Sequence, residues 1–479
     1  MNSTRRTGLL LVLVFIVSLP AVTPRIYAAD EVEYFSFLRS LWFDHDLSFD
    51  NEYRHFYDAI GRRMPGFRET FLEDTTPTGR RRNFGTIGCA LLWAPFYGLA
   101  DVAVHVMPAA GQPIQPDGFS RPYVAAVCYG SAAYALAALL LSASAARRVL
   151  GKGTPNIRRW AAVSAVLALA GTPLLFYVYV APVFAHACSA FAVALFVVTW
   201  LVVRRRWSAR GLIALGAAAA LMAMVREQDA FFVVGPAIDL VLALVGSMRA
   251  RRPNDAPDDD VPPPVSRLLA NACAGCIAFA IVWLPQAIAY LDLNGRLGPS
   301  GLVSRKMAWN SPHALQVLAS PEHGLLFWTP LVVVGLIGLA LVAIERGSPA
   351  GTRRVVACML AMTAAQVYVA GSVQSWTVAG AFGQRRFVGL TVLLVIGLAA
   401  ILGRQRSRAS RVVTATLLAV CTWWNLALMV QFGTGLMDRQ RLTLGTNLYN
   451  AFVVVPREIP RIVYRYMFDR TSFYATPRR

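Results

Sequence analysis

The strongest constraint on the fold is a series of apolar runs that recurs from residue 9 to residue 432. Most runs approach the length of about 20 residues that an α-helix needs to cross a bilayer. The chain is 56% hydrophobic and only 15% charged, whereas about a quarter of the residues in a soluble domain are charged. The pattern predicts an all-α polytopic membrane protein with one membrane domain over residues 1–432. We expect about eleven crossings, over residues 8–23, 122–146, 160–179, 181–203, 210–225, 230–248, 268–290, 324–344, 355–373, 386–403 and 412–432.

Arginine clusters between these runs predict how the chain is oriented in the membrane. With the crossings above, five clusters fall on one side, which the positive-inside rule makes cytoplasmic. The clusters are 147–159, 204–206, 249–252, 353–354 and 404–411. The net charge of +20 therefore reflects membrane topology, and because the arginines form no single face it does not indicate a nucleic-acid partner.

One apolar run does not fit this count. Treating residues 87–106 as a crossing would move every later arginine cluster to the outside. We therefore predict an interfacial or re-entrant helix there, broken at Pro95 and Asp101, within a first outer loop of about residues 24–121. The first run could instead be a cleaved signal peptide ending near residue 29. Residues 249–267 are expected to form a cytoplasmic linker, and residues 433–479 a basic tail on the outer face.

Carboxylates are concentrated at the start of the predicted outer loop. Seven of the 26 acidic residues lie between residues 30 and 52. Carboxylates beside a hydrocarbon slab are costly and are readily used for proton transfer or cation binding. The spacing Asp44-x-Asp46 could hold a divalent cation, or it could belong to a solvated, helix-capping loop. The spacing indicates no particular metal and no other cofactor.

Further polar residues interrupt the apolar runs on the same predicted side. Arg226 lies between two apolar runs, so it needs either an ion-pair partner, such as Glu227 or Asp229, or a water-filled cavity. Arginine also binds phosphate oxygens through two hydrogen bonds, which makes Arg226 a candidate phosphate ligand. Arg385 and Arg386 allow the same two interpretations, and a third as anchors at the membrane boundary. The other candidate binding residues on this side are Gln228, His323 and Gln384.

The order of these motifs resembles the bacterial polytopic glycosyltransferases of the GT-C superfamily, which include protein O-mannosyltransferases and lipid A aminoarabinose transferases. The motifs that carry the resemblance are Asp30-Glu31 with Tyr34, Asp44-His45-Asp46-Leu47, Asn51-Glu52-Tyr53, Pro77-Thr78-Gly79, residues 88–96, Arg226-Glu227-Gln228, residues 323–330 and residues 382–386. The resemblance implies a cavity that faces outward from the bacterial inner membrane. It also implies a sugar donor carried on a polyprenyl phosphate, Asp30 as the catalytic carboxylate, and Glu31 as its neighbour in that role. His45 departs from the glycine expected there, which leaves the roles of Asp44 and Asp46 open.

The expected function is therefore sugar transfer from a polyprenyl-phosphate donor to a lipid, glycan or protein acceptor on the outer face of the membrane. Asp30 would deprotonate or orient the acceptor hydroxyl, and Arg226, Arg385 or Arg386 would stabilise the departing phosphate. A transporter or lipid flippase is the alternative, and a membrane scaffold without catalytic activity is a third. Transporters place polar groups near the middle of the membrane, whereas the ionisable residues here gather at one rim. The sequence identifies neither the sugar nor the acceptor.

Overall fold

The protein is an all-helical, polytopic membrane protein. A computed structural model describes residues 12–106, 114–151, 153–249 and 264–473, and no β-strand occurs among them. The helices of the first half are α1 Val12–Ala21, α2 Ala29–Arg39, α3 Asp50–Ala59, α4 Gly88–Val106, α5 Arg121–Leu150, α6 Ile157–Ala170, α7 Leu174–Tyr179, α8 His186–Val203 and α9 Ala209–Val225. Those of the second half are α10 Val234–Arg249, α11 Val265–Asn294, α12 Gly301–Arg305, α13 Ala314–Ala319, α14 Leu325–Trp328, α15 Leu331–Ile344, α16 Ala350–Ser372, α17 Thr391–Gly403, α18 Arg408–Thr434, α19 Leu444–Tyr449 and α20 Val455–Phe468.

Eight helical segments of the described chain are long and apolar enough to cross a bilayer. These are α4, α5, α8, α11, α16 and α18, together with residues 227–249 and 385–403, in which a 3-10 segment precedes α10 or α17. The helices α1, α9 and α15 are apolar but shorter. Each predicted crossing overlaps a helix where the chain is described, but α8 begins only at His186 in the crossing predicted for 181–203, and residues 329–330 separate α14 from α15 in that predicted for 324–344. The linker prediction for 249–267 lies mostly outside the described residues, as do residues 1–11 of the first run.

Two sequence predictions about helix breaks need correction. Residues 88–106 form one continuous helix, and neither Pro95 nor Asp101 breaks it. The carboxylate of Asp101 accepts hydrogen bonds from Tyr123 (2.6 Å) and Trp42 (3.2 Å), which compensates its position on an apolar helix. The predicted crossing at residues 160–179 contains a break at residues 171–173, where Pro173 cannot continue the hydrogen-bond ladder of α6.

Close helix packing in the centre of the bundle depends on glycine. Helix α17 packs along α15, and the backbones approach so closely that a Cβ on Gly397 would lie 1.9 Å from the carbonyl oxygen of Gly335. In a membrane, where helices gain little from the hydrophobic effect, such contacts between small residues favour association. Helix α17 also packs against α5 and α6, and α5 against α8. Helix α9 packs against α8 and α11, so this core positions the ends of both α9 and α17.

The charged residues gather at the two ends of this bundle. At one end, the fully buried carboxylate of Asp239 pairs with Arg204 (2.7 Å) and Arg354 (2.8 Å), which ties α8, α10 and the start of α16 together. The turns that carry most of the described arginine clusters lie at this end, which we call the arginine-rich end. The opposite end, which we call the acidic end, contains α2, α3 and the loop before α4.

Candidate functional site

One face of α2 forms a wall of a cavity of about 550 Å³ at the acidic end. Asp30, Glu33 and Tyr34 line the cavity, as expected for residues spaced by three and four along a helix. The other walls come from residues 84–86, residues 226–231, the segment 299–309, the end of α16, and Arg386. The 3-10 segments before α10 and α17 lie at this end, so polar residues enter the cavity where the apolar helices have not yet begun.

Asp30 forms an ion pair with Arg385 across the site. The distance from Arg385 Nη1 to Asp30 Oδ2 is 2.6 Å, although the two residues are 355 positions apart in the chain. The side chain of Arg385 is 20% exposed and that of Asp30 is 44% exposed. The guanidinium also lies 5.3 Å from the ring centroid of Phe184. Asp30 therefore keeps one side open to the cavity while Arg385 holds the carboxylate in place.

Arg226 enters the same cavity without a carboxylate partner. The chain leaves α9 at this residue in an extended conformation, with φ at −153°. No carboxylate among the described residues lies within ion-pair distance, and the buried Nη1 atom has no hydrogen-bond partner in that part of the chain. Its two neighbouring acids are engaged elsewhere: Glu227 accepts from the Tyr290 hydroxyl, and Asp229 accepts from Ser189 (2.6 Å). Arg226 thus forms no close ion pair within the described chain, although Asp229 lies near enough to feel its charge.

Arg386 lies on the cavity wall next to Gln228. The amide of Gln228 donates to the carbonyl oxygen of Arg386 (2.6 Å), which joins the chain after α9 to the start of the 3-10 segment before α17. The Arg386 guanidinium donates through Nη2 to the carbonyl oxygen of Ser375 (3.1 Å), whereas its buried Nε has no partner among the described residues. Gln228 therefore positions the backbone of Arg386, and the guanidinium retains a free donor.

The carboxyl groups of Glu31 and Glu33 occupy different surroundings. Glu31 accepts from the backbone nitrogens of Tyr27 (2.8 Å) and Ala28 (3.1 Å), which caps α2, and it is not part of the cavity wall. Glu33 accepts from the backbone nitrogen of Phe84 (2.9 Å) and lines the cavity. Burial raises the pKa of each carboxyl to about 8, so both are largely protonated at neutral pH. The structure therefore brings Glu33, and not Glu31, next to Asp30 on the cavity wall.

His323 and Gln384 lie behind the site as buried supports. Gln384 donates to the carbonyl oxygens of His323 and Trp376, each at 3.0 Å. The imidazole of His323 stacks on Trp328 at 4.4 Å, and its Nε2 lies 2.8 Å from the carbonyl oxygen of Arg439. Burial lowers the pKa of His323 to about 4, which keeps the ring neutral. These contacts fix the segment that carries Arg385, and neither residue lines the cavity.

Asp44 and Asp46 stabilise the loop between α2 and α3. Asp44 pairs with Arg39 and accepts from the Asn51 amide (2.7 Å). Asp46 accepts from the Ser40 hydroxyl (2.8 Å) and from the backbone nitrogen of Ser48 (3.0 Å). Neither lines the cavity, and the described part of the chain contains no group of three or more metal-ligating side chains. The geometry thus agrees with the loop interpretation of this acidic pair.

Several residues of the cavity wall were not among the predicted site residues, and Glu33, Lys306 and Ser375 are those that bear most directly on its chemistry. Glu33 could have been found from its position one helical turn after Asp30. Lys306 enters from the segment after α12, where its ammonium lies 6.0 Å from the ring centroid of Phe84. Ser375, beyond the end of α16, lines the cavity and holds Arg386. No local sequence pattern marks Lys306 or Ser375, because long-range folding brings them to the site.

The cavity thus combines the ion-paired carboxylate of Asp30, the largely protonated carboxyl group of Glu33, the carboxyl group of Glu227, which accepts from the Tyr290 hydroxyl, and three cations. The cations are Arg226, Arg386 and Lys306. Such a set can bind an anion and can handle a proton next to it. No protein-family model matches the chain, and no curated protein and no solved structure matches it either.

Proposed function

We propose that the protein is a membrane glycosyltransferase of the GT-C type, which moves a sugar from a polyprenyl-phosphate donor to an acceptor on the outer face of the membrane. The observation that carries the proposal is the ion pair between Asp30 and Arg385 in a cavity whose other cations lack carboxylate partners. The proposal includes about eleven crossings and a cavity that opens outward. The count rests on the apolar runs, with α4 not crossing, and the outward opening follows from the positive-inside rule when the arginine-rich end is cytoplasmic.

Arg226, Arg386 and Lys306 would bind the phosphate of the donor. Arg226 Nη1 and Arg386 Nε are buried donors without partners in the described chain, and a phosphate oxygen would satisfy them. Charge that develops on the departing phosphate would be stabilised by groups that are already in position. Lys306, which also lines the cavity, would add a further positive charge.

Asp30 would act on the acceptor. Its carboxylate, held in place by Arg385, would accept the proton of an acceptor hydroxyl as the oxygen attacks the anomeric carbon. The bond between that carbon and the phosphate oxygen breaks, and the electron pair leaves with the lipid phosphate. A single displacement of this kind inverts the anomeric configuration. Glu33 would supply a neutral hydrogen-bond donor beside the reacting groups, because its pKa of about 8 keeps it largely protonated.

A row of half-exposed aromatic rings at the rim supports a lipid-linked donor. Phe231 and Trp309 lie 6.0 Å apart on the cavity wall, and Tyr368 follows at 5.9 Å from Trp309. The Tyr368 hydroxyl donates to the carbonyl oxygen of Trp309 (2.8 Å), which fixes the row. Aromatic side chains suit the boundary between the hydrocarbon and headgroup layers. Their apolar faces would contact the lipid tail while the phosphate enters the cavity.

The proposal is tested by profiling surface glycans and glycolipids in cells that lack the gene and in cells complemented with variants. Asp30→Asn should fail to restore the missing glycan, because removing one general base costs about 10²–10⁴-fold in rate. The matched control is Asp58→Asn, which changes an exposed carboxylate of the same loop and should restore the glycan fully. Restoration by Asp30→Asn at equal protein level would remove Asp30 from the mechanism. An unchanged profile in the deletion strain would contradict the proposed function.

A further inference from the structure

A second large cavity, of about 650 Å³, opens at the arginine-rich end of the bundle. Three inter-helix turns surround it: residues 153–156 before α6, residues 345–349 between α15 and α16, and residues 404–407 between α17 and α18. The chain from residue 385 to the end of α17 separates it from the site of Asp30 by roughly 30 Å, from the rise per residue of 3-10 and α-helices. The two cavities are therefore distinct sites.

Arginine dominates the charge of this second cavity, which we call the arginine pocket. Its lining includes Arg159, Arg404, Arg406 and Arg411, with Glu345 as the one carboxylate among the described lining residues. Glu345 is engaged by Arg404, and this contact lowers the pKa of the Glu345 carboxyl, which keeps it ionised. The described lining residues thus carry an excess of three positive charges.

The remaining three guanidiniums have no carboxylate partner in the described chain. Arg159 lies over the ring of its neighbour Trp160 at 5.1 Å, which leaves its hydrogen-bond donors available. Arg411 donates only weakly to the carbonyl oxygen of Ser407, at 3.3 Å. Arg406 forms no ion pair among the described residues, and its side chain is exposed. Three cations around one space repel each other, and a bound anion would relieve that repulsion.

Helix dipoles do not account for the positive field. Helices α6, α16 and α18 begin at the pocket, and α5, α15 and α17 end there. Partial charges at helix starts and helix ends have opposite signs and similar size. The arginines therefore set the sign of the potential.

Membrane topology alone would also place arginines at this end, but it would not require them to share a cavity. Arg205, Arg206 and Arg210 also lie at the arginine-rich end, between α8 and the start of α9, but they do not line the arginine pocket. Guanidinium groups bind phosphate oxygens through paired hydrogen bonds, and the volume is in the range of small-molecule sites. We propose that the arginine pocket binds a phosphate-bearing anion, which is either the headgroup of an anionic phospholipid or a soluble phosphate compound.

The test compares two triple variants of the full-length protein in neutral detergent. One removes the pocket cations (Arg159→Gln, Arg406→Gln and Arg411→Gln), and the matched control removes three cations outside the pocket (Arg205→Gln, Arg206→Gln and Arg210→Gln). Binding of pyrophosphate is measured by calorimetry, and retention of added cardiolipin by native mass spectrometry. We expect the pocket variant to bind at least about tenfold more weakly, equivalent to about 1.4 kcal/mol. The control variant should bind like the wild type.

The two measurements also identify the source of the anion. Binding of pyrophosphate indicates a soluble phosphate compound, whereas retention of cardiolipin alone indicates a lipid headgroup. The proposal is overturned if the wild type binds neither probe, or if the two triple variants lose binding equally. If the pocket variant does not accumulate in the membrane, Arg406→Gln alone provides the comparison, because Arg406 is exposed and has no structural partner in the described chain. None of these measurements depends on sugar transfer, so their outcome is separate from that of the proposed function.

Discussion

The ion pair between Asp30 and Arg385 makes an asymmetric prediction about stability. In Asp30→Asn, the guanidinium of Arg385, which is only 20% exposed, loses its carboxylate. In Arg385→Gln, the remaining carboxylate is 44% exposed, so water can hydrate it. Loss of a partner is costly where the remaining charge is buried and mild where it is solvated. Asp30→Asn should therefore destabilise the protein more than Arg385→Gln does.

The expected magnitudes follow from the exposure of each side chain. Breaking a fully buried pair costs about 3–5 kcal/mol, and an exposed pair contributes about 0.2–1 kcal/mol. Arg385 lies nearer the buried limit, so we expect a loss of about 2 kcal/mol for Asp30→Asn. Asp30 lies nearer the exposed limit, so we expect a loss of about 1 kcal/mol for Arg385→Gln after allowance for solvent screening. The coupling free energy between the two positions should be about 1 kcal/mol.

The assay is reversible unfolding of the purified protein in mixed micelles, with both single variants and the double variant. The free energy of unfolding is measured for each, and the coupling is taken from the double-mutant cycle. Strict additivity would show that the two groups do not interact in the folded protein. A larger loss for Arg385→Gln than for Asp30→Asn would refute the reasoning from burial.

Three further predictions concern packing, buried charge and pH. Gly397→Ala should lower the free energy of unfolding by about 1–3 kcal/mol, because its Cβ would lie 1.9 Å from the backbone of α15. The control Gly433→Ala, which has open space around the new Cβ, should change the free energy of unfolding little. Equal effects of the two variants in thermal unfolding would contradict the close approach of the helices. Asp239→Asn should cost about 2–3 kcal/mol, because it leaves the largely buried Arg204 and the partly exposed Arg354 without their carboxylate. A lower yield of folded protein on size-exclusion chromatography would accompany this loss, and wild-type stability would contradict it. Because the pKa of Glu33 rises from 4.5 to about 8 on folding, the folded state binds the extra proton in this range. Glu33 should therefore lower stability by up to about 1.4 kcal/mol for each unit that the pH rises through this range. Glu31, whose pKa is also raised to about 8, adds its own slope, so Glu33→Gln should reduce the total slope without abolishing it. An unchanged slope would show that the Glu33 carboxyl does not titrate as described.

The sequence predicted the helices well and the site only in part. Apolar runs of bilayer length identify helices with little ambiguity, because lipid leaves few alternatives to a helix. The prediction that α4 is broken was wrong because it considered only the local effects of Pro95 and Asp101 on the helix. The hydrogen bonds from Tyr123 and Trp42, which compensate Asp101, come from distant parts of the chain.

Among the predicted site residues, the structure separates those of the cavity from those that support it. Asp30, Arg226, Gln228 and Arg386 line the cavity, and Arg385 contacts it through Asp30. The remaining candidates, which cap helices or hold loops, are Glu31, Asp44, Asp46, His323 and Gln384. A polar residue in an apolar segment indicates that some partner offsets the cost of its burial, but the sequence does not reveal which residue that partner is. That information resides in long-range contacts.

The central claim is that a lipid-phosphate sugar is cleaved in the cavity that contains Asp30. The most direct measurement reconstitutes the purified protein in proteoliposomes with a panel of polyprenyl-phosphate sugars and an extract of membrane acceptors, and follows the donor by mass spectrometry. The account predicts that the wild type releases free polyprenyl phosphate from one donor and that Asp30→Asn does not. Movement of the intact donor between the two leaflets without cleavage, by the wild type and by Asp30→Asn alike, would contradict it and indicate a flippase.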